Sequence, residues 1–167
     1  MSDHSIPQGT EKQFLLGGVA IFTLQSEKTG RRYTYKVVSQ KYRPTHCIVK
    51  LLKGPSIEKD FMPIGILSKN SLFFDIFNNI SEEYYYVKAF RYFIEHIDNL
   101  SPQLGVYHAG KCCFCGRDLT TPDSIERGYG RKCGIAKGLI ERPLLAVDMI
   151  KRTALGSCSD VDEACLG

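Results

Sequence analysis

Residues 19–38 read VAIFTLQSEKTGRRYTYKVV and contain two runs of alternating side chains with a turn between them. Side chains two residues apart lie on the same face of a β-strand, so each run divides into two faces. The EKTG segment at residues 27–30 has the composition of a turn, in which Gly30 can adopt a positive φ. The stretch therefore predicts a β-hairpin and sets the fold class of the region around it.

The strand pattern continues outward from this hairpin. Three further strands are predicted over residues 45–52, 61–67 and 71–77, and Pro63 favours an edge or a bulge because proline cannot donate to a strand ladder. The apolar period then becomes helical over residues 82–98, with Ser81 as a candidate N-cap. We therefore predict an α+β protein, in which a small antiparallel β-meander or barrel carries one packed helix.

Composition and segment boundaries are those of an ordinary globular protein. The 167 residues are 43% hydrophobic and 24% charged, and the apolar runs are far shorter than the ~18 residues that a membrane span needs. Four segments are predicted: a flexible lead-in over 1–12, a β-rich domain over 13–104, a zinc-finger module over 105–154 and a flexible tail over 155–167. Residues 101–107, at the boundary of the two middle segments, are predicted to be a short linker. Because the polar residues 1–12 do not resemble a signal peptide, we expect a cytoplasmic protein without a membrane partner.

The placement of the seven cysteines favours a metal site over disulfides. Four of them fall within the 22 residues from Cys112 to Cys133, and an odd total with this clustering is untypical of a secreted disulfide framework. Cys112 and Cys115 form a C-x-x-C-G turn, which supplies two thiolates from one tight loop. Cys133 opens an apolar helical segment, where the helix dipole favours a thiolate. These three side chains are the predicted metal ligands.

The fourth ligand is predicted to be His108, four residues before Cys112. Cys113 and Cys158 are the alternatives: Cys113 adjoins Cys112, and adjacent residues rarely both reach one ion, while ordering Cys158 in the tail would cost entropy. The expected cofactor is one structural Zn²⁺, because a module with few large apolar groups needs a metal crosslink to be stable. A knuckle, then a loop, then a helix that carries the last ligand predict a treble-clef or ribbon-like zinc finger. Cys47 is predicted to be a core strand residue.

The stretch CFCGRDLTTPDSIERGYGRKCG, residues 113–134, carries a resemblance to known sequences. With Cys112, it resembles the zinc-finger tail of a family of unassigned function encoded by phages and plasmids, which shows a C-x-x-C-G-R-x-L-T-x-P-x-S-I pattern, then Gly-x-Gly and a Cys. The resemblance implies a zinc-containing protein of a phage or other mobile element, acting in a bacterial host cell, and implies no reaction. Arg131 and Lys132 depart from the pattern, since the family often has proline after the second glycine.

The residues do not predict an enzyme. Four protein ligands would close the zinc site, whereas a catalytic zinc keeps a position for water. The four histidines, at positions 4, 46, 96 and 108, show no paired arrangement of the kind that metal-dependent nucleases use, and no phosphate-loop glycine pattern is present. We therefore predict no catalytic residue.

The charge distribution favours a nucleic-acid partner, with DNA preferred. Residues 27–53 contain eight basic residues and one acid, although the net charge of the chain is only +4. Clustered basic side chains are typical of phosphate binders, and aromatic residues between them can stack bases. Tyr33 and Tyr35 fit such stacking, but their alternation fits core positions better. The predicted contacts are Arg31, Arg32, Lys36, Lys41, Arg43, Arg117, Arg131 and Lys132.

The alternative function is an inhibitor or adaptor that binds a host protein complex, such as a defence or nucleic-acid-processing complex, through protein contacts. Acidic residues lie in the middle of the sequence and in the tail, where they could meet a basic host surface or mimic a nucleic acid. They are Glu58, Asp60, Asp75, Glu82, Glu83, Asp160, Asp162 and Glu163.

Overall fold

The computed structural model describes residues 4–143. Its strands are β1 (His4–Ser5), β2 (Val19–Ser26), β3 (Arg32–Ser39), β4 (His46–Leu52), β5 (Phe61–Ser68), β6 (Phe74–Ile76) and β7 (Leu104–His108). Its helices are α1 (Glu11–Leu15), α2 (Tyr85–Glu95), α3 (Pro122–Arg127) and α4 (Arg131–Ala136). The strands form one antiparallel sheet in the order β1-β7-β2-β3-β4-β5-β6. The α+β class and the meander, β2 to β6, are confirmed, whereas the sheet is open and the barrel alternative is wrong.

The predicted hairpin is formed by β2 and β3. Phe22 lies opposite Tyr35 and Thr23 opposite Thr34, and the two threonine hydroxyls hydrogen-bond at 2.8 Å. Gly30 has a φ of 68°, as the turn requires. The register places every second side chain of β3 on the same face as Tyr35, and this face is the one that is buried.

Pro63 marks a β-bulge in the pairing of β4 with β5. Val49 pairs with Gly65 and Lys50 pairs with Pro63, so Ile64 is the additional residue on β5. A bulge accommodates proline because the ladder is already interrupted there. This confirms one of the two interpretations that the sequence allowed.

The core lies between one face of the sheet and α2. Phe22, Tyr35 and Phe90 are buried, with ring centroids 5.9 Å apart for Phe22 and Tyr35 and 5.1 Å apart for Tyr35 and Phe90. The Tyr35 hydroxyl donates to the carbonyl of Tyr86 at 2.6 Å, and burial raises its pKa. Tyr33 packs against the same core, which confirms the interpretation of both tyrosines as core aromatics. A fully buried phenylalanine contributes about 1.5–3 kcal/mol through its apolar area.

Helix α2 is shorter than the predicted helix 82–98. The Ser81 hydroxyl accepts from the backbone N–H of Glu83 at 3.2 Å, which forms a local turn. Tyr84 then has extended backbone angles, φ −64° and ψ 134°, so the helix begins at Tyr85. The apolar stripe nevertheless faces the sheet as predicted.

Two segments that were predicted to lack regular structure complete the sheet. In the predicted lead-in, His4 pairs with His108, the Ile6 N–H donates to the Val106 carbonyl at 3.0 Å, and α1 begins at Glu11. The predicted linker 101–107 instead contains most of β7, which lies between β1 and β2. Both strands are short and pair with distant parts of the chain, so local sequence contains little signal for them.

The described residues up to Cys133 form one compact unit, and residues 134–143 belong to a second. The four-segment division stays a prediction, and residues 144–154 of the predicted finger and the predicted tail lie outside the described residues. Within residues 4–143, no helix has the length and apolar character needed to cross a membrane.

Candidate metal centre and cationic surfaces

The cysteine segment, residues 109–133, begins with a tight knuckle after β7. The Cys112 N–H donates to the Arg117 carbonyl and the Gly116 N–H donates to the Cys112 carbonyl, both at 2.8 Å. Gly116 has a φ of 75°, a conformation that only glycine adopts readily. Lys111 and Asp118 form an isolated antiparallel bridge at the base, and their side chains form an ion pair at 2.6 Å. These contacts fix the turn that carries Cys112 and Cys115.

Three thiols meet at this knuckle. The sulfur atoms of Cys112, Cys115 and Cys133 all lie within 4.8 Å of one another, and Cys133 comes from the first turn of α4. Zinc–sulfur bonds of about 2.3 Å place tetrahedral ligand sulfurs roughly 3.8 Å apart, so the cluster fits a metal ion of this kind with small adjustments. The three predicted cysteines therefore come together as a candidate metal centre.

The thiols differ in how readily they lose their protons. Burial raises the pKa of Cys112, but N–H groups of Gly130, Cys115 and Phe114 lower it more, so the net shift is downward. The Gly130 N–H lies 3.4 Å from the Cys112 sulfur. Burial and hydrogen bonds to the other two thiols raise the pKa of Cys133 to about 12. Three adjacent thiolates repel one another, so full ionisation of the cluster requires a cation.

His108, the predicted fourth ligand, is not among the three clustered side chains. Its Nδ1 accepts the Gly110 N–H at 3.0 Å, and its Nε2 lies 2.6 Å from the Ile125 carbonyl. An N–H can only donate, so the proton of the neutral ring is on Nε2 and is donated to Ile125. Burial lowers the pKa of His108, in keeping with a neutral ring. Since both nitrogens are used, the side chain joins β7 to α3.

Two further cysteines, Cys113 and Cys47, are buried and do not belong to this cluster. Cys113 is fully buried in the core cluster, and burial raises the pKa of its thiol to about 12. A Cβ at Gly17 would lie 2.9 Å from the Cys113 sulfur, so that thiol packs closely against the turn that follows α1. Cys47 is buried in β4, which confirms its core role. Cys158 lies outside the described residues, and the described residues therefore supply three clustered thiols.

The structure distributes the eight predicted nucleic-acid contacts over four places. The Arg31 guanidinium lies 3.7 Å from the ring centroid of Tyr85, against α2. Arg32 and Lys36 lie on the face of β3 opposite the core. Lys41 and Arg43 are exposed in the loop between β3 and β4. Three residues line a cleft beside the thiols, namely Arg117, Arg131 and Lys132.

Sequence reasoning did not bring together a group that we call the lysine face, in which Lys36, a predicted contact, lies beside Lys50 and Lys111. Lys36 and Lys50 are directly paired across β3 and β4, on the side away from the core. Burial lowers the pKa of Lys36, and the positive charges of Lys50 and Lys111 lower it further. Strands β2 to β5 contain no Asp or Glu. The strand register was the missing information, because the sequence alone does not say that residues 36 and 50 are opposite each other.

The cleft beside the thiols, which we call the cysteine cleft, has a volume of about 410 Å³. All three clustered cysteines contribute to its wall, together with basic residues from the knuckle, α3 and α4. Its charged lining residues are Arg117, Asp118, Asp123, Arg127, Arg131 and Lys132. Basic side chains therefore outnumber acidic ones around the candidate metal centre.

Fold and site together define an α+β protein with an open antiparallel sheet and a three-cysteine candidate metal centre. A family model described as a family of unknown function, DUF6011, matches residues 102–134, which span β7, the knuckle and Cys133. This match agrees with the resemblance to a family of unassigned function. A search of the curated proteins found no match, and a search of the solved structures found none.

Proposed function

We propose that this protein is a non-enzymatic, zinc-containing nucleic-acid-binding accessory protein of a phage or other mobile element. The observation that carries the proposal is the lysine face, where Lys36 is paired with Lys50 across two strands that contain no carboxylate and is also subject to the positive charge of Lys111. The origin in a mobile element rests on the resemblance of the cysteine segment alone.

Like charges held close together favour an anionic partner. Among the described residues, no carboxylate lies within ion-pair distance of Lys36 or Lys50, while Lys111 is paired with Asp118 at 2.6 Å. The phosphates of a nucleic acid would neutralise this surface and release bound counterions. Phe61 lies beside Lys36, with 5.6 Å between the ammonium nitrogen and the ring centroid, and offers a stacking surface for a base.

Zinc would act as a structural ion held by Cys112, Cys115 and Cys133. Bound there, it supplies a fixed crosslink between the knuckle and α4, and no step of a reaction is assigned to it. Cys158 stays the candidate for the fourth ligand. The non-enzymatic role is supported by His108, whose two ring nitrogens are both engaged with backbone groups.

The test is fluorescence anisotropy of the zinc-loaded protein on single-stranded and double-stranded DNA at 50 and 200 mM salt. We expect binding that weakens steeply with salt, by roughly tenfold to a hundredfold over this range for a few phosphate contacts. A double variant, Lys36→Gln with Lys50→Gln, should weaken binding and reduce the salt slope by about 2. The matched control is Lys12→Gln with Lys59→Gln, which removes two exposed charges elsewhere.

Two results would contradict the proposal. One is the absence of DNA binding by the wild type at 50 mM salt. The other is a Lys36 and Lys50 variant that stays folded and retains both the affinity and the salt slope of the control.

A second candidate function is the host-directed adaptor. It is favoured by exposed aromatic side chains near α2: Phe73 is 66% exposed, Tyr84 50% and Tyr85 58%. Aromatic side chains are enriched in protein interfaces. Capture of one host complex by the wild type and not by a Phe73→Ser, Tyr85→Ser variant, together with no DNA binding, would favour this function.

A further inference from the structure

We infer that the cysteine cleft binds a phosphate group, either a backbone phosphate of a nucleic acid or that of a small phosphorylated molecule. The inference rests on the proposed function in its first form, because it assigns a phosphate contact beside the metal centre. None of the three lysines of the lysine face lines this cleft, and two of them, Lys36 and Lys50, lie on the sheet.

Basic side chains reach the cleft from three successive elements. Arg117 follows the knuckle, Arg127 ends α3, and Arg131 and Lys132 begin α4. None of these four forms an ion pair with a carboxylate among residues 4–143. Guanidinium groups bind phosphate oxygens through paired N–H donors, which gives both affinity and orientation. The arrangement therefore offers several donors to one anion.

The acids of the cleft do not neutralise these cations fully. Asp118 is already paired with Lys111 at 2.6 Å, so Asp123 is the remaining carboxylate in the wall. A zinc ion bound by three thiolates carries a net charge of about −1. The positive charge of the four basic side chains is larger than the combined negative charge of this complex and Asp123. A positive local potential remains, and a phosphate group would balance it.

Arg127 has an unmet hydrogen-bonding group. Its Nε is buried and has no acceptor within the described part of the chain. Its guanidinium carbon lies 5.7 Å from the ring centroid of Tyr129, and Arg127 lines the cleft. A buried donor without an acceptor is unfavourable, and a phosphate in the cleft would supply the acceptor. The Arg127 Nε therefore supports the inference independently of the number of charges in the cleft.

The size of the cleft also suits this ligand. Its volume of about 410 Å³ falls at the small end of ligand sites, and exceeds what one phosphate requires. A phosphate together with an attached sugar is therefore the class of group that fits.

The experiment titrates the zinc-loaded full chain with inorganic phosphate, with ribose 5-phosphate and with a single-stranded oligonucleotide. Isothermal calorimetry measures the first two affinities, and anisotropy measures the third. The variants are Arg117→Gln with Arg127→Gln, and Arg127→Lys, which keeps the charge and removes Nε. Arg43→Gln is the control, since Arg43 lies in the β3–β4 loop. Zinc content and thermal unfolding are measured for each, and Arg117→Gln alone serves if the double variant does not fold.

We expect the double variant to bind phosphate about tenfold more weakly, Arg127→Lys to be intermediate, and Arg43→Gln to match the wild type. Weaker oligonucleotide binding by the same variants identifies a backbone phosphate as the ligand, whereas an effect on ribose 5-phosphate alone identifies a small molecule. A folded, zinc-loaded double variant with unchanged affinity for all three probes overturns the inference. If that variant still binds DNA through the lysine face, the proposed function stands. If the wild type binds phosphate but no DNA, the inference stands and the proposed function fails.

Discussion

The sheet and the cysteine segment are stabilised in different ways. Between the sheet and α2, large apolar side chains such as Phe22, Tyr35 and Phe90 are fully buried. In the cysteine segment, the buried side chains are small or polar, namely Cys112, Cys113 and Ser124. The first region is stabilised mainly by apolar burial, whereas the second is held by backbone hydrogen bonds, by His108 and by contacts of Cys113, Phe114 and Tyr129 with the core. We therefore expect a bound metal ion to stabilise the cysteine segment more than the sheet.

The largest expected effect comes from removing a metal ligand. Cys133→Ser should lower zinc affinity by at least a hundredfold, because structural zinc binding supplies about 10–16 kcal/mol through its full ligand set. Hydrogen exchange should then become fast over residues 109–133 while β2 to β5 stay protected. Cys47→Ser is the control thiol variant for zinc content. One zinc per chain in Cys133→Ser, or equal loss of protection in the sheet, would remove the distinction between the two regions.

A core substitution tests the other half of the comparison. Phe90→Ala should lower the free energy of unfolding by about 3–5 kcal/mol, because it leaves a cavity among packed aromatic rings. Under native conditions its zinc affinity should stay within a factor of about two, since Phe90 lies on α2 and does not line the cysteine cleft. Urea denaturation measures the first quantity and a chelator competition measures the second. A large loss of zinc affinity in the folded variant would show that the core and the metal centre are energetically coupled.

The smallest expected effect is at the junction between the two regions. His108→Ala should retain one zinc per chain and lose about 1–3 kcal/mol of stability, because the Ile125 carbonyl loses its buried donor. Zinc stoichiometry by mass spectrometry and urea denaturation check the two parts. Loss of zinc from the folded variant would restore His108 as the fourth ligand. Cys158→Ser belongs in the same series, and loss of zinc there would identify the thiol that completes the site.

Local patterns allowed much of the fold to be predicted. Strands β2 to β6 follow from alternation, turn residues and proline, which are properties of neighbouring residues. β7 has only five residues, including Gly105, and gains its stability from β1 and β2 on either side. Local sequence contains little signal for such long-range pairing, so residues 101–107 have the composition of a linker.

The candidate site shows the same limit. The C-x-x-C-G spacing fixes a local turn and correctly brought Cys112 and Cys115 together, with Cys133 from the next helix. The spacing of His108 suggested a fourth ligand, but its direction is set by β7, where it pairs with Phe22 and points toward α3. Lys36 and Lys50 illustrate the same point, because only the register of β3 and β4 places them side by side.

The position of β7 also has a consequence for synthesis on the ribosome. β2 to β6 are sequential neighbours, so they can assemble in the order in which they leave the exit tunnel. The free edge of β2 stays open until residues 104–108 have been made, and β1 must wait for the same strand although it is synthesised first. An open strand edge is prone to wrong pairing. The knuckle cysteines emerge directly after β7, so metal loading would coincide with closure of that vulnerable edge.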